Sequence, residues 1–375
     1  MDFAPTEEQR MTCDVARKFF AREFPLARLR EVEAQGLGAF MPVYRKMGEL
    51  GFLGIGVPES CGGGGGGWLD LALFAEEAGR ALVPTLQVTS VVLAGQALLT
   101  LGDAGKQRER LRALTAGESV IAPAWLESAE ASRGPALATT AVMRDDRFEL
   151  EGIKRYVEAC DVASELLVAA RDPDGNARFY LVPRASPGLT ASEHRLTSLE
   201  RVHDVRLGRV SLPATARLGG AWNDWLDVVD SAKIVVGAWA VGAARAALDM
   251  AVAYAKVREQ FNRPIGSFQA VQHRLADAAI SVEQASAMVR YAAWLHETVG
   301  RCSRDAAMAR LVAGRAVRQV THAAMLTHGG YGFMEEYDVQ LYFRRAKQLE
   351  HIVEGPVLQR DLIAGEDVND GLRVH

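Results

Sequence analysis

The spacing of apolar residues divides the chain into three textures. Up to about residue 118 it is helical. TEEQRMTCDVARKFFAREF (residues 6–24) repeats apolar side chains every three to four positions behind a capping-box start at Thr6. MPVYRKMGELGFLG, LDLALFAEEAGRAL and residues 106–117 continue that period. Between about 119 and 221 the pattern turns strand-like. TTAVMRDDRFELEGIKRYV puts two alternating runs around an Asp-Asp-Arg turn, and SELLVAARDPDGNARFYLVP is a hairpin about Pro-Asp-Gly-Asn. LTSLERVHDVRLGRVSLP adds one or two more strands. From about 222 the helical period returns in four long stretches, near 227–260, 266–299, 304–330 and 338–366, with short joints between them. The fold expected is mainly α with a central β domain. Its parts are an N-terminal helical domain (1–118), a small β-barrel or sandwich (119–221) and a C-terminal four-helix bundle (222–375).

Six consecutive glycines, residues 62–67, interrupt the first region. A P-loop needs a Lys-Ser or Lys-Thr pair after its glycines, and here Trp68, Leu69 and Asp70 follow. A dinucleotide fingerprint needs a strand before it, and Pro58 spoils that reading. The run is therefore expected to be a flexible surface loop feeding a helix.

Composition narrows the function classes. The net charge is −4, which gives no footing for nucleic acid or an anionic membrane. Cys13, Cys61, Cys160 and Cys302 are widely separated and form no CxxC pair, as expected of a reduced, cytoplasmic chain. The eight histidines show no paired metal-ligand spacing, so no metal site is expected. The polar start MDFAPTEEQR is not that of a signal peptide. Residues 81–102 carry no charge, but Pro84, Thr85, Gln87, Thr89, Ser90, Gln96 and Thr100 make them too polar to span a membrane.

Three segments carry a specific resemblance: YAKVREQFNRPIGSFQAVQHRLADAA (residues 254–279), HGGYGFMEEYDVQLYFRRAK (328–347) and GFLGIGVPESCGGGGGGWLDLALFAEEAGRAL (51–82). In this order they resemble the acyl-CoA dehydrogenase family, with its Arg-x-x-Phe turn, Gly-Gly-x-Gly segment and Pro-Glu turn. The resemblance covers essentially the whole chain and implies an FAD enzyme. Such an enzyme removes hydrogen from the α and β carbons of an acyl-CoA thioester, with electron-transfer flavoprotein as acceptor. It also implies a homotetramer, or a heterotetramer with a related chain.

Carried over residue by residue, the resemblance places Arg258 at the pyrophosphate of a neighbouring subunit's FAD, flanked by Gln260 and Phe261, with Gln269 on the middle of the cofactor. A guanidinium fork suits paired phosphate oxygens. Gly329, Gly330 and Gly332 would let backbone approach the adenylate part, while Leu326 stands where the family has a Gln. In the β domain LESAEASR (residues 126–133) keeps Glu127 and Ser132 of the family's flavin loop, with Leu126, Ser128, Ala131 and Arg133 as departures. Tyr156 would stack on the flavin. Glu158, two residues on, brings a negative charge toward a hydride-accepting ring unless it turns away or is protonated.

The α-proton base implied by the resemblance is Glu354 in IVEGP, although the spacing from Arg344 is one residue longer than usual; Glu350 is the alternative. Another branch of the family has its base on the first bundle helix, at about Ala232 here, with Asp230 close but out of phase. Two further classes compete with the dehydrogenase: a non-catalytic or half-site subunit of a heteromer, and a flavin oxidase or monooxygenase on the same fold.

Overall fold

The computed structural model describes residues 5–128 and 136–371. Helices α1 (Glu7–Glu23), α2 (Leu26–Gln35), α3 (Met41–Glu49), α4 (Trp68–Arg80), α5 (Gln96–Thr100) and α6 (Ala104–Thr115) come first. Strands β1 (Ile121–Ala124), β2 (Thr140–Arg144), β3 (Arg147–Glu158), β4 (Glu165–Arg171), β5 (Ala177–Pro183), β6 (Leu189–Arg195) and β7 (Arg201–Pro213) form one sheet. Helices α7 (Trp222–Val257), α8 (Gln269–Val299), α9 (Ser303–His328), α10 (Val339–His351) and α11 (Pro356–Gly371) follow, with a small hairpin, β8 (Glu259–Gln260) and β9 (Arg263–Pro264), between α7 and α8. The mainly helical chain with a central β region is as the periodicity predicts.

The chain divides into two compact units, one of residues 1–29, 67–83 and 233–375, the other of residues 30–66 and 84–232. The first is helical. Thr6 begins α1 with the capping box read from the sequence: its hydroxyl accepts from Gln9 N while Gln9 Oε1 accepts from Thr6 N. Helix α7 passes close to its neighbours because its contact residues are small. A Cβ on Gly242 would lie 1.8 Å from the Glu76 carbonyl oxygen, so only glycine allows that crossing with α4. Helix α7 is the described helix long and apolar enough to span a bilayer, yet 78% of its apolar window is buried in protein. That is the signature of a core helix.

The second unit holds the sheet. Its strand order is β1-β4-β2-β3-β7-β6, with β5 on the other edge of β4. The expected Asp-Asp turn joins β2 to β3, with Asp145 and Asp146 at φ of 46° and 61°, the two left-handed residues of a type I′ hairpin. In the β4–β5 hairpin the Asp172 carboxylate accepts from the backbone N–H groups of Asp174 and Asn176. Trp125, Phe179, Trp222 and Trp225 cluster as the aromatic core of this unit. A π-helical stretch, Val88–Gly95, precedes α5 in the uncharged segment.

Two expectations need correction. The glycine run is not a loose loop. Within the second unit, Gly63, Gly64 and Gly65 donate to the carbonyls of Pro58, Gly54 and Val57, and a Cβ on Gly63 would lie 2.0 Å from Val57 O. Gly63 is there for close packing, and Gly65 takes a left-handed backbone, φ of 67°, that glycine adopts readily. The fourth bundle stretch, read as continuous from 338 to 366, breaks at residues 352–355. Pro356 explains the break: it supplies no N–H and forces the residue before it out of helical geometry.

Glu158 answers the question its charge raised. It is half-buried at the end of β3 and shares a hydrogen bond of 2.9 Å with Thr89 Oγ1 of the π-helical stretch. Burial pushes its carboxyl up to about 7, with the Thr89 contact opposing. A carboxyl raised on folding stabilises most below its unfolded value of 4.5, and that contribution is lost as pH rises through about 7. Glu158→Gln is expected to raise the melting temperature at pH 8 and to leave it nearly unchanged at pH 4.5 or below. Thermal melts of both proteins across pH 4–8 measure the difference.

Candidate active site

Glu354 is 2% exposed, although it stands in a break between two helices near the end of the chain. The break is a single tight turn. Val353 has φ of 72°, and Glu354 N donates to Ile352 O, two residues back, at 3.0 Å. This is a γ-turn of the rare, strained hand, with a β-branched residue at its centre. Such a conformation costs about 1–3 kcal/mol and persists only where its surroundings over-determine it. They do here. Arg310 Nη2 on α9 donates to Ile352 O at 3.0 Å, and Gln359 Nε2 on α11 donates to Glu354 O at 3.2 Å. Burial pulls the Arg310 guanidinium down to about 10.

Inside the turn the Glu354 carboxylate is in direct contact with the ammonium of Lys233, a fully buried residue of α7. Lys233 follows Ala232, the position on the first bundle helix where the resemblance offers its second location for a base. No sequence pattern singled out Lys233; a cation among the apolar residues of KIVVGAWAVG was the available signal.

Glu350, the alternative, sits one turn earlier in α10 in a different setting. Its carboxylate meets Lys347 Nζ at 2.8 Å and Arg318 Nε at 3.3 Å, with His351 Nε2 at 3.9 Å. Burial acts to raise it, but Lys347 and Arg318 together hold it below the ordinary carboxylate range. It is engaged in surface-edge ion pairs.

The Arg-x-x-Phe turn forms a two-residue hairpin, with Phe261 and Asn262 at φ of 54° and 59° and Ile265 N donating to Arg258 O at 2.8 Å. A left-handed Phe is a conformational outlier, and this one is 88% exposed at the hairpin tip. Behind it lies a cavity of about 380 Å³. Arg258, Gln260, Gly329 and Gly330 all line it, together with Tyr254 and Tyr331. The Arg258 guanidinium lies 5.4 Å from the centre of the Tyr331 ring, a cation–π contact that holds it at the cavity wall. No atom lies within 4 Å of where a Cβ of Gly329 or Gly330 would stand, so the backbone is open to a ligand. Gly332 is buried just behind. Gln269 is exposed at the start of α8 and is not among the lining residues. The two segments that the resemblance assigned to FAD thus meet, except for Gln269 and the outward Phe261.

In the second unit Tyr156 sits at a bulge of β3 with φ of 54° and is 44% exposed. Ser132 lies outside the described residues. Glu127 is committed elsewhere: it accepts from the fully buried Lys154 at 2.5 Å and from the backbone N–H groups of Ala138 and Thr139 at 2.6 and 3.0 Å. Burial acts to raise it, but those bonds hold it below the usual carboxylate range. Among the described residues there is no group of three or more His, Cys, Asp or Glu fit to hold a metal ion.

Comparison with known proteins agrees along the whole chain. The model for the acyl-CoA dehydrogenase N-terminal domain matches residues 6–118, and that for the acyl-CoA dehydrogenase C-terminal domain matches residues 222–365. A probable acyl-CoA dehydrogenase of Bacillus subtilis, YngJ, is 33% identical, covering 97% of this chain and 99% of its own. The ChsE4–ChsE5 complex of Mycobacterium tuberculosis superposes with a TM-score of 0.88 at 29% identity, over 98% of this chain and 99% of the matched chain. Butyryl-CoA dehydrogenase of Megasphaera elsdenii gives 0.89 at 26% identity, over 98% of this chain and 100% of its own. The strained turn carrying Glu354 and the cavity behind Arg258 therefore belong to a member of the acyl-CoA dehydrogenase family.

Proposed function

We propose that this chain dehydrogenates an acyl-CoA thioester between its α and β carbons, with FAD as cofactor and Glu354 as the α-proton base. One observation carries the choice of base: Glu354 is buried on an over-determined strained turn, paired with the buried Lys233, whereas Glu350 is paired with the exposed Lys347 and Arg318. A carboxylate held away from water keeps its lone pair for a substrate proton instead of a solvent one.

The cavity behind Arg258 fits the diphosphate end of FAD. It offers a guanidinium fork, the Gln260 amide and the unobstructed backbone of Gly329 and Gly330. When bound, FAD supplies the hydride acceptor. Tyr156 has an exposed ring for stacking, and Glu158, raised by burial and bonded to Thr89, brings less negative charge than its sequence position suggests. Glu127, by contrast, is spent on Lys154.

That imbalance supports assembly with a second chain. Val257 beside Arg258, Phe261 at the hairpin tip and Phe333 after the Gly-Gly-x-Gly segment are 76%, 88% and 75% exposed, apolar surface suited to a subunit interface. The reading is that this turn reaches the FAD of a neighbour, either a second copy or a related chain like the pair in the mycobacterial complex. Electron-transfer flavoprotein is the proposed acceptor.

Three outcomes are expected. Anaerobic addition of the right acyl-CoA should bleach the flavin absorbance of the purified protein, alone or with its partner. Glu354→Gln should slow that bleaching by about 10³-fold or more. Because the substitution leaves Lys233 buried without this partner, FAD content and melting temperature are recorded first. Arg258→Ala should weaken FAD binding about 10- to 100-fold, read by titration of the apoprotein, as removal of a charge-assisted phosphate contact requires. Val353→Gly should leave stability within about 1 kcal/mol of the wild type, since relief of strain offsets the added chain entropy. It should also slow turnover about tenfold through a less fixed carboxylate.

A further inference from the structure

Strand β3 ends in a carboxyl that no cation accompanies. Val157 is buried, and Glu158, the next residue, turns to the other face of the strand. There Glu158 Oε2 lies 2.9 Å from Thr89 Oγ1, on the π-helical stretch Val88–Gly95. Among the described residues Thr89 is the one hydrogen-bond partner of this carboxyl, and no charged side chain acts on it. The nearby cations of β3 are spent, Arg155 on Asp204 and Lys154 on Glu127. On β7, Val202 stands opposite Glu158 and the buried His203 opposite Val157. The π-helical stretch itself carries no charge. The Thr89 hydroxyl also lies 3.3 Å from Thr85 O. It has a single proton to give. A neutral Glu158 can donate to Thr89, which then donates to Thr85 O; an ionised Glu158 takes the Thr89 proton and forfeits that second bond.

A carboxylate drawn out of water with no cation beside it is costly, and such a group keeps its proton. Burial pushes this one up to about 7. Both local devices around it recur at functional sites: the π-helical turn that brings Thr89 close and the bulge at Tyr156. Tyr156 and Glu158 stand two residues apart, about 7 Å along a strand. That is within the span of one three-ring system, so a flavin stacked on Tyr156 would reach the Glu158 carboxyl. Accepting a hydride, two electrons and a proton, leaves a bound flavin one negative charge richer. An ionised carboxylate against the ring opposes that gain, and a neutral acid does not. By linkage, the same gain raises the affinity of the carboxyl for a proton.

We propose that Glu158 is a cofactor-contacting residue: an acid at the edge of the bound flavin that stays neutral, or becomes so by taking one proton from solvent, when the flavin is reduced. The inference rests on the reading that FAD stacks on Tyr156.

The test reads an equilibrium and needs no turnover. The purified holoenzyme, with any chain that co-purifies, is reduced stepwise with dithionite beside reference dyes. The flavin midpoint potential is recorded from about pH 6 to about pH 9. The potential of the wild type is expected to fall more steeply with pH than that of Glu158→Gln. At the acid end the two should agree within about threefold in their reduction equilibrium. At the alkaline end the wild type should lie about tenfold or more below the variant, about 30 mV for a two-electron couple. Thr89→Val removes a bond that favours the ionised form, so the break in the wild-type curve should move to higher pH. If Glu158→Gln does not fold, Glu158→Thr replaces it with the same expectation. Tyr156→Ala, read by the visible spectrum of the bound flavin, tests the underlying placement separately. If that spectrum changes, parallel potentials in wild type and Glu158→Gln, or a break unmoved in Thr89→Val, overturn the inference alone. A flavin spectrum unmoved by Tyr156→Ala, or a protein that holds no flavin, overturns the placement and this inference with it.

Discussion

Burying the Glu354 carboxylate beside the Lys233 ammonium commits the surrounding helices to a narrow set of arrangements. Each ion would cost several kcal/mol to bury alone, so the pair must meet with good geometry and its backbone must be satisfied too. Helix α7 has to run through the core to deliver a lysine there, and its glycines and alanines make that passage possible. The last stretch of the bundle has to stop being a helix for one turn. Its freed carbonyls then need donors, which Arg310 and Gln359 provide. The fold around the site is in this sense a set of answers to one electrostatic demand.

Val353 and Phe261, among several described non-glycine residues with positive φ, are a β-branched and an aromatic residue in left-handed backbone, and they lie in the two regions proposed as functional. Val353 turns a carboxylate inward; Phe261 turns a ring outward beside the Arg258 cavity. Gly or Asn would adopt this backbone with less strain, so the valine and phenylalanine are not required simply to reverse the chain.

Much of the fold was legible because local rules agree with the tertiary outcome. The Thr6 capping box, the Asp145-Asp146 turn and the Asp172 hairpin each formed as their residues dictate. The Arg258 and Gly329 segments were legible through resemblance, and their meeting in one cavity is a tertiary fact. What was not legible depends on partners remote in sequence. The break at residues 352–355 lies inside a convincing helical period, and only Pro356 hinted at it. Lys233 reads as an oddity of an apolar helix until Glu354 is beside it. The glycine run reads as a loose loop because glycine signals freedom and close packing with the same letter; Val57, Gly54 and Pro58 decide between them.

The weakest part of the resemblance has a physical reading as well. In the second unit, polar residues near the expected flavin loop are satisfied internally: Glu127 neutralises Lys154, and Glu158 bonds to Thr89. In the first unit, the Arg258 cavity keeps an open backbone and a guanidinium held only against a ring. Glu127, which the family pattern keeps, is thus turned inward, whereas the Arg258 guanidinium and the backbone of Gly329 and Gly330 face an open cavity. The association proposed above would draw on Val257, Phe261 and Phe333, since burying these exposed side chains would release water from all three.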